Sequence, residues 1–209
     1  MTFQNKSKEA SAFLEAFANN ELIIIRHAPA AHGGRLCGRL DVDAILPERA
    51  ALAPLRAALE GVQLLSSPAL RCRQTLTALT DEQTVEEDPR LWEQDFGAQD
   101  GSALADLPDL GPMSLADLAA HRMSGAESFE DMAARVIPAL ETLAARIQQG
   151  GGPVAVVAHA GTARAALGLA LGRTHLGLAF EIAPLSLTRL RCFPDDFGII
   201  AVNQQVSMP

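Results

Sequence analysis

The chain has 209 residues, 48% of them apolar and 20% charged, with a net charge of −8. That is enough for one domain with a sizeable core. The acidic balance excludes general nucleic-acid binding, which needs a basic footprint, yet leaves room for a small anionic substrate, because a local arginine pair outweighs a distant acidic surface. No run of about 18 apolar residues occurs, so no membrane-spanning helix is expected, and the first twenty residues do not read as a secretory signal.

Phe13, Leu14 and Phe17 stand at helical spacing, predicting either a short amphipathic helix or a frayed end within a peripheral extension, 1–20. Leu22, Ile23, Ile24 and Ile25 then run straight into Arg26 and His27. A short unbroken apolar run is the pattern of a strand buried on both faces, and in such sheets ligands bind beyond the carboxyl ends of the strands. Pro29 to Gly34 reads as a loop with His32 in solvent, and 35–41 as a loop covering the strand end. Leu52, Leu55 and Leu59 predict a helix over 47–60, with Pro47 at its first position and Pro54 bending or shortening it. A second strand, 62–65, leads to Ser66-Ser67-Pro68, where either serine can cap a helix starting at Pro68. Arg71 and Arg73 fall in the first turns of that helix. Cations are unfavourable at this positive end of the helix dipole unless an anion is present.

Trp92 is expected to pack, and Glu93 beside it to lose water, which would raise its pKa toward the range of a proton donor at neutrality. Residues 96–125, rich in glycine, proline and aspartate, read as a cap-like insertion with one short helix over 115–123 and His121 on its surface. Ser128 and Asp131 make a capping-box arrangement for a long helix through Phe129, Met132, Val136, Leu140, Leu143 and Ile147. Pro138 should kink this helix and Gly150-Gly151-Gly152 should stop it. A third buried strand, 153–158, ends at His159 and is followed by a helix over 163–171. Residues 185–191 alternate like a strand near an edge, and 198–203 offer a last short strand. With no repeat or linker in between, 1–209 reads as a single domain. Cys37, Cys72 and Cys192 form no CxxC pair, which fits reduced thiols in a cytoplasmic setting.

Three buried strands thus end in Arg26-His27, Ser66 and His159, and in a parallel sheet those ends share one rim. The set suits a phosphomonoester. Arg26 and Arg71 bind its oxygens bidentately; a neutral His27 attacks phosphorus; Glu93 protonates the leaving oxygen and later activates water; His159 donates a further hydrogen bond. No metal or other cofactor is called for.

The ordered segments Arg26-His27-Ala28, Ser67-Pro68-Ala69-Leu70-Arg71-Cys72-Arg73-Gln74-Thr75, Leu91-Trp92-Glu93-Gln94-Asp95-Phe96-Gly97, Gly125-Ala126-Glu127-Ser128 and Ala158-His159-Ala160-Gly161 resemble the signatures of the histidine phosphatase, or phosphoglycerate mutase-like, superfamily over residues 20–203. The resemblance implies an α/β fold, a three-layer α/β/α sandwich with a mostly parallel central sheet. It implies His27 as nucleophile, Arg26, Arg71 and His159 as the phosphate pocket, Glu93 as proton donor, and Gly38 close to substrate. Ala28 and Ala160 stand where the family usually has glycine, and the loop after His27 lacks the family's Glu-Ser/Thr-x-x-Asn pattern. The modest, acidic insertion favours hydrolysis of a small phosphorylated substrate, as in alpha-ribazole phosphatase-like members. The alternatives are phosphoglycerate mutase-type transfer and a non-catalytic module that binds a phosphorylated ligand. The reading leaves a homodimer open and includes neither nucleic acid nor membrane as partner.

Overall fold

The computed structural model describes residues 16–81, 86–123 and 125–206. Its centre is a six-stranded sheet of β1 (Glu21–Arg26), β2 (Gln63–Ser66), β3 (Glu86–Glu87), β4 (Val154–Ala158), β5 (Leu187–Cys192) and β6 (Phe197–Gln204), in the order β3-β2-β4-β1-β5-β6. The four strands β3, β2, β4 and β1 are parallel, whereas β5 runs antiparallel to β1 and β6 antiparallel to β5.

Side chains of successive strand residues point to opposite faces, and both faces are covered. Leu22, Ile24, Val154, Val156 and Ala158 pack against Val136, Leu140 and Leu143 of α4 (Phe129–Arg146) and Ala163 and Leu167 of α5 (Ala160–Ala170). Ile23, Ile25, Ala155 and Val157 pack against Leu52 and Leu55 of α1 (Arg49–Ala58) and Leu76 and Leu79 of α2 (Leu70–Thr80). This is the α/β/α sandwich. It explains why residues 22–25 of β1 and all of β4 are apolar without a break instead of alternating.

Ser128 caps α4 through the expected box: its Oγ accepts from the Asp131 N–H at 3.1 Å, and the Asp131 carboxylate accepts from the Ser128 N–H at 2.7 Å. The helix runs through Pro138 without a break and ends in a π-turn, Ile147–Gly151, where Gly150 takes a left-handed φ of 89°. No described helix is long and apolar enough to cross a membrane.

Several local expectations are corrected. Helix α1 starts two residues after Pro47, behind Glu48, and α2 starts at Leu70 with no side-chain cap from either serine. The Leu70 N–H donates instead to the Asp41 carboxylate at 2.7 Å, so a distant loop supplies the cap. Helix α5 begins at Ala160, directly after His159. The strand expected near an edge, β5, does lie next to the edge strand β6; the other edge is the two-residue β3, which the acidic sequence there did not suggest. Within the predicted N-terminal extension, Phe13 and Leu14 lie outside the described residues. Phe17 is buried in the α1/α2 core, with the Arg189 guanidinium 5.0 Å from its ring centroid. In 96–125 the one α-helix among the described residues is α3 (Leu115–Ala120), preceded by the 3-10 turns Gly97–Gln99 and Leu104–Asp106.

Candidate active site

Neighbouring parallel strands β1 and β4 pair Arg26 with Ala158. The next residue of each strand is therefore a histidine at the same rim, and the His27 and His159 rings meet edge to face, 5.3 Å apart at 70°. The His27 backbone N–H also donates to the Ala158 carbonyl at 2.9 Å, which locks the two strand ends together.

The environment of His27 selects its tautomer. Its Nδ1 lies 2.6 Å from the Ala28 carbonyl oxygen. A carbonyl only accepts, so Nδ1 carries the hydrogen and Nε2 keeps its lone pair. That lone pair accepts from the Arg71 Nε–H at 3.3 Å. Burial is the main cause that pulls the His27 pKa down, to about 3; the Ala28 hydrogen bond opposes this, and Arg71 and Arg26 add to it. His27 is therefore neutral near pH 7. Ala28 accommodates its β-carbon with an ordinary negative φ, and its N–H donates to Thr75 Oγ1 of α2 at 3.0 Å.

Arg71 is the largest fully buried side chain among the described residues. Its Nη2 donates to the Gly38 carbonyl at 2.9 Å and lies 3.3 Å from His159 Nδ1, and its Nη1 donates to the Leu40 carbonyl at 3.2 Å. A guanidinium only donates, so His159 Nδ1 is the acceptor and His159 Nε2 carries the hydrogen. The acceptor for Nε2–H is Ser67 Oγ at 2.9 Å. Burial first, then Arg71, His27 and the arginines beyond them, hold the His159 pKa well below its usual value. Arg26 reaches the same rim from β1. Its Nη1 donates to the Ile182 carbonyl at 2.5 Å, while its buried Nε has no hydrogen-bond partner among the described residues.

Glu93 is half-buried at the start of α5. Its carboxylate accepts from its neighbour's N–H, that of Gln94, at 3.1 Å and more weakly from the Gly161 N–H at 3.4 Å. Gly161 is required there: a β-carbon would fall 2.2 Å from Glu93 Oε1 and 2.7 Å from Met132 Sδ. The Glu93 backbone is held from behind by Arg135, whose Nη2 donates to the Glu93 carbonyl at 2.9 Å while the guanidinium pairs with Glu127.

The structure thus gathers His27, Arg71 and His159 into one contacting cluster, places Arg26 at the end of β1 beside it with its guanidinium on the Ile182 carbonyl, sets Gly38 against Arg71 through its carbonyl, and holds Glu93 at the first turn of α5. Other expected positions lie elsewhere. Arg73 is exposed, and His32 accepts from the Gly34 N–H within its loop at 3.1 Å. His121 is not a plain surface residue: it lines an apolar cavity of about 200 Å³ with Phe96, Leu118 and Phe129. Ser66, the expected rim residue, turns inward to its own neighbour's carbonyl, and Ser67 faces His159 instead. Ser67, Gly161 and Arg135 went unpredicted as site residues. Only the Ser67 and Gly161 positions within the motif segments could have flagged two of them.

The sheet order and the rim of paired imidazoles and guanidinium groups define a phosphoglycerate mutase-like α/β/α protein. The sequence profile of the histidine phosphatase superfamily (branch 1) matches residues 22–205, and the chain belongs to that family. By class it is a phosphoric monoester hydrolase. Among solved structures, a mycobacterial hydrolase is 25% identical with a TM-score of 0.76, over 89% of this chain and 99% of its own. Mycobacterial glucosyl-3-phosphoglycerate phosphatase is 24% identical with a TM-score of 0.75, over 90% and 100%. Phosphoserine phosphatase from Entamoeba histolytica shares the fold at 16% identity with a TM-score of 0.70, over 88% and 96%. A search of curated proteins found no match.

Proposed function

We propose that the chain hydrolyses a small phosphorylated metabolite through a phosphohistidine on His27. The observation that carries this reading is the tautomer: the Ala28 carbonyl holds Nδ1–H and leaves the Nε2 lone pair facing Arg71, beside a second imidazole. Arg26 and Arg71 bind the phosphoryl oxygens and offset the charge that shifts among them in the transition state. His27 Nε2 attacks phosphorus, the P–O bond to the alcohol breaks, and Glu93 delivers its proton to the leaving oxygen. The Glu93 carboxylate then takes a proton from water, whose oxygen attacks phosphorus. The P–N bond breaks, inorganic phosphate leaves, and neutral His27 returns. His159 lines the pocket beside His27 and steadies the Arg71 guanidinium through Nδ1, its one N–H being held by Ser67 Oγ. Gly38 acts at the pocket wall through its backbone.

The small-metabolite class is supported by two relatives of the same fold, named for glucosyl-3-phosphoglycerate and phosphoserine. Hydrolysis over mutase-type transfer is supported by the modest insertion, read here as a cap on a single domain. Its described part holds two 3-10 turns and one six-residue helix. Three free cysteines support a reducing, cytoplasmic setting.

The test is phosphate release from para-nitrophenyl phosphate and a panel including phosphoserine, glucosyl-3-phosphoglycerate and alpha-ribazole phosphate. Acid-quenched samples are probed for acid-labile phosphohistidine. Wild-type protein should release phosphate and label at His27; His27→Ala should do neither. Glu93→Gln should lose about 10²–10⁴-fold in rate on alkyl phosphates. Phosphoryl transfer between substrates without phosphate release, or full activity of His27→Ala, would overturn the proposal.

A further inference from the structure

We infer that Asp100, in the segment after Glu93, is a positioning residue for Arg71, acting through the backbone of the loop 38–40. The inference rests on the phosphatase reading above. Its carboxylate accepts three consecutive backbone N–H groups: Gly38 at 2.8 Å on Oδ1, and Arg39 at 2.7 Å and Leu40 at 2.6 Å on Oδ2. The carbonyls of the first and last of those residues are the ones that receive the Arg71 guanidinium. One carboxylate therefore holds the N–H end of the Gly38–Arg39 peptide group, whose carbonyl end meets the fork, and pins the N–H of Leu40, whose own carbonyl meets it next along the loop.

The surroundings leave this loop no other way to sit. A β-carbon on Gly38 would come 2.0 Å from the Gln94 carbonyl and 2.8 Å from Phe96, so the loop is pressed against the chain just after Glu93. On the far side of Asp100, Leu36 N–H donates to the Ser102 carbonyl and Gly101 N–H to the Leu36 carbonyl, both at 2.8 Å; Leu104 N–H donates to Gly34 at the same distance. These bonds zip the start of the insertion to the loop. Asp41, one residue further on, caps α2 immediately before Arg71. One short loop thus receives the Arg71 guanidinium and caps the helix start that carries its backbone, and among the described residues Asp100 is the only side chain seen to bond three of that loop's N–H groups. Charged acceptors make the stronger hydrogen bonds, and a misplacement of about 1 Å in a positioning group costs on the order of a hundredfold in rate. Asp100 bonds the loop backbone and neither histidine, so the inferred route runs from the loop carbonyls to Arg71, and the double-mutant cycle separates it from a direct effect on the Gly38 wall.

A double-mutant cycle tests this. Orthovanadate dissociation constants are measured by titration for wild type, Asp100→Ala, Arg71→Lys and the double variant, with melting temperatures alongside. Lysine keeps the charge at position 71 but lacks the fork that the two carbonyls hold. Asp100→Ala should weaken vanadate binding by about tenfold or more in the wild-type background and by less than about twofold in the Arg71→Lys background, where the fork is gone. Equal weakening in both backgrounds would mean a general structural role and would overturn the inference, as would unchanged binding by Asp100→Ala. Should Asp100→Ala not fold, Asp100→Asn replaces it: this keeps the shape and one acceptor oxygen, and the same non-additivity is required. Wild-type protein that binds no vanadate and releases no phosphate would instead overturn the phosphatase reading, so the two failures are distinct.

Discussion

Replacing Ser67 by alanine should damage the site through His159, although Ser67 itself meets no part of a bound phosphate in the mechanism above. His159 is fully buried, and Ser67 Oγ at 2.9 Å is the acceptor for its Nε2–H. The variant strips that acceptor from a buried site. Leaving a buried donor unpaired costs about 1–3 kcal/mol. The ring has no good escape: the other tautomer would aim an Nδ1–H at Arg71 Nη2, 3.3 Å away and itself a donor. The Cys72 sulfur, 3.6 Å from Nε2, is a weak acceptor. At about 1.4 kcal/mol per factor of ten, the full cost would appear as a 5- to 150-fold loss in kcat/KM, roughly. The part absorbed by the ground state would appear instead as a melting temperature lower by about 2–4 °C per kcal/mol in a chain of this length. Initial rates on para-nitrophenyl phosphate and thermal unfolding of the same preparations measure both. A variant within about twofold of wild type in kcat/KM and about 1 °C in Tm would refute the assigned tautomer.

Acid should destabilise the protein in a window set by its histidines. Burial holds His27 at about 3 and His159 well below its usual value, so on acidification the unfolded chain takes up protons before the folded one. Their contribution is present above the unfolded value near 6.5 and is lost as pH falls toward 3, at up to about 1.4 kcal/mol per pH unit for each histidine. Tm should therefore drop between pH 6.5 and 4.5, less steeply in His27→Asn; equal slopes in the two proteins would remove His27 from the account. Gly161→Ala should cut kcat well below wild type, because its β-carbon occupies the place of the Glu93 carboxylate and Met132. Wild-type turnover by this variant would show that Glu93 works from another position. Burial raises the thiol pKa of all three cysteines, that of Cys192 to about 11, but Cys72 and Cys192 are buried while Cys37 is only half-buried and within reach of a reagent. An aromatic disulfide reagent at pH 8 should titrate one thiol in the folded protein and three in denaturant; fast reaction of Cys72 would mean that α2 and β4 part more readily than their packing implies.

The sequence by itself determined the elements that local patterning governs. Unbroken apolar runs into Arg26-His27 and His159 placed two buried strands and the polar residues at their ends, and Ser128 with Asp131 announced the start of α4. Only the tertiary structure decided strand order, because pairing joins segments far apart in the chain: β4 comes to lie between β1 and β2, and β3 forms an edge from two acidic residues. The same holds for the residues that hold the site in shape. Ser67 meets His159 across 92 positions, Asp100 meets Gly38 across 62, and Gly161 is shaped by Glu93 from 68 away. A serine before a helix-starting proline reads locally as a cap. Which group it satisfies depends on what burial brings opposite it, since a buried donor takes whichever acceptor the fold supplies.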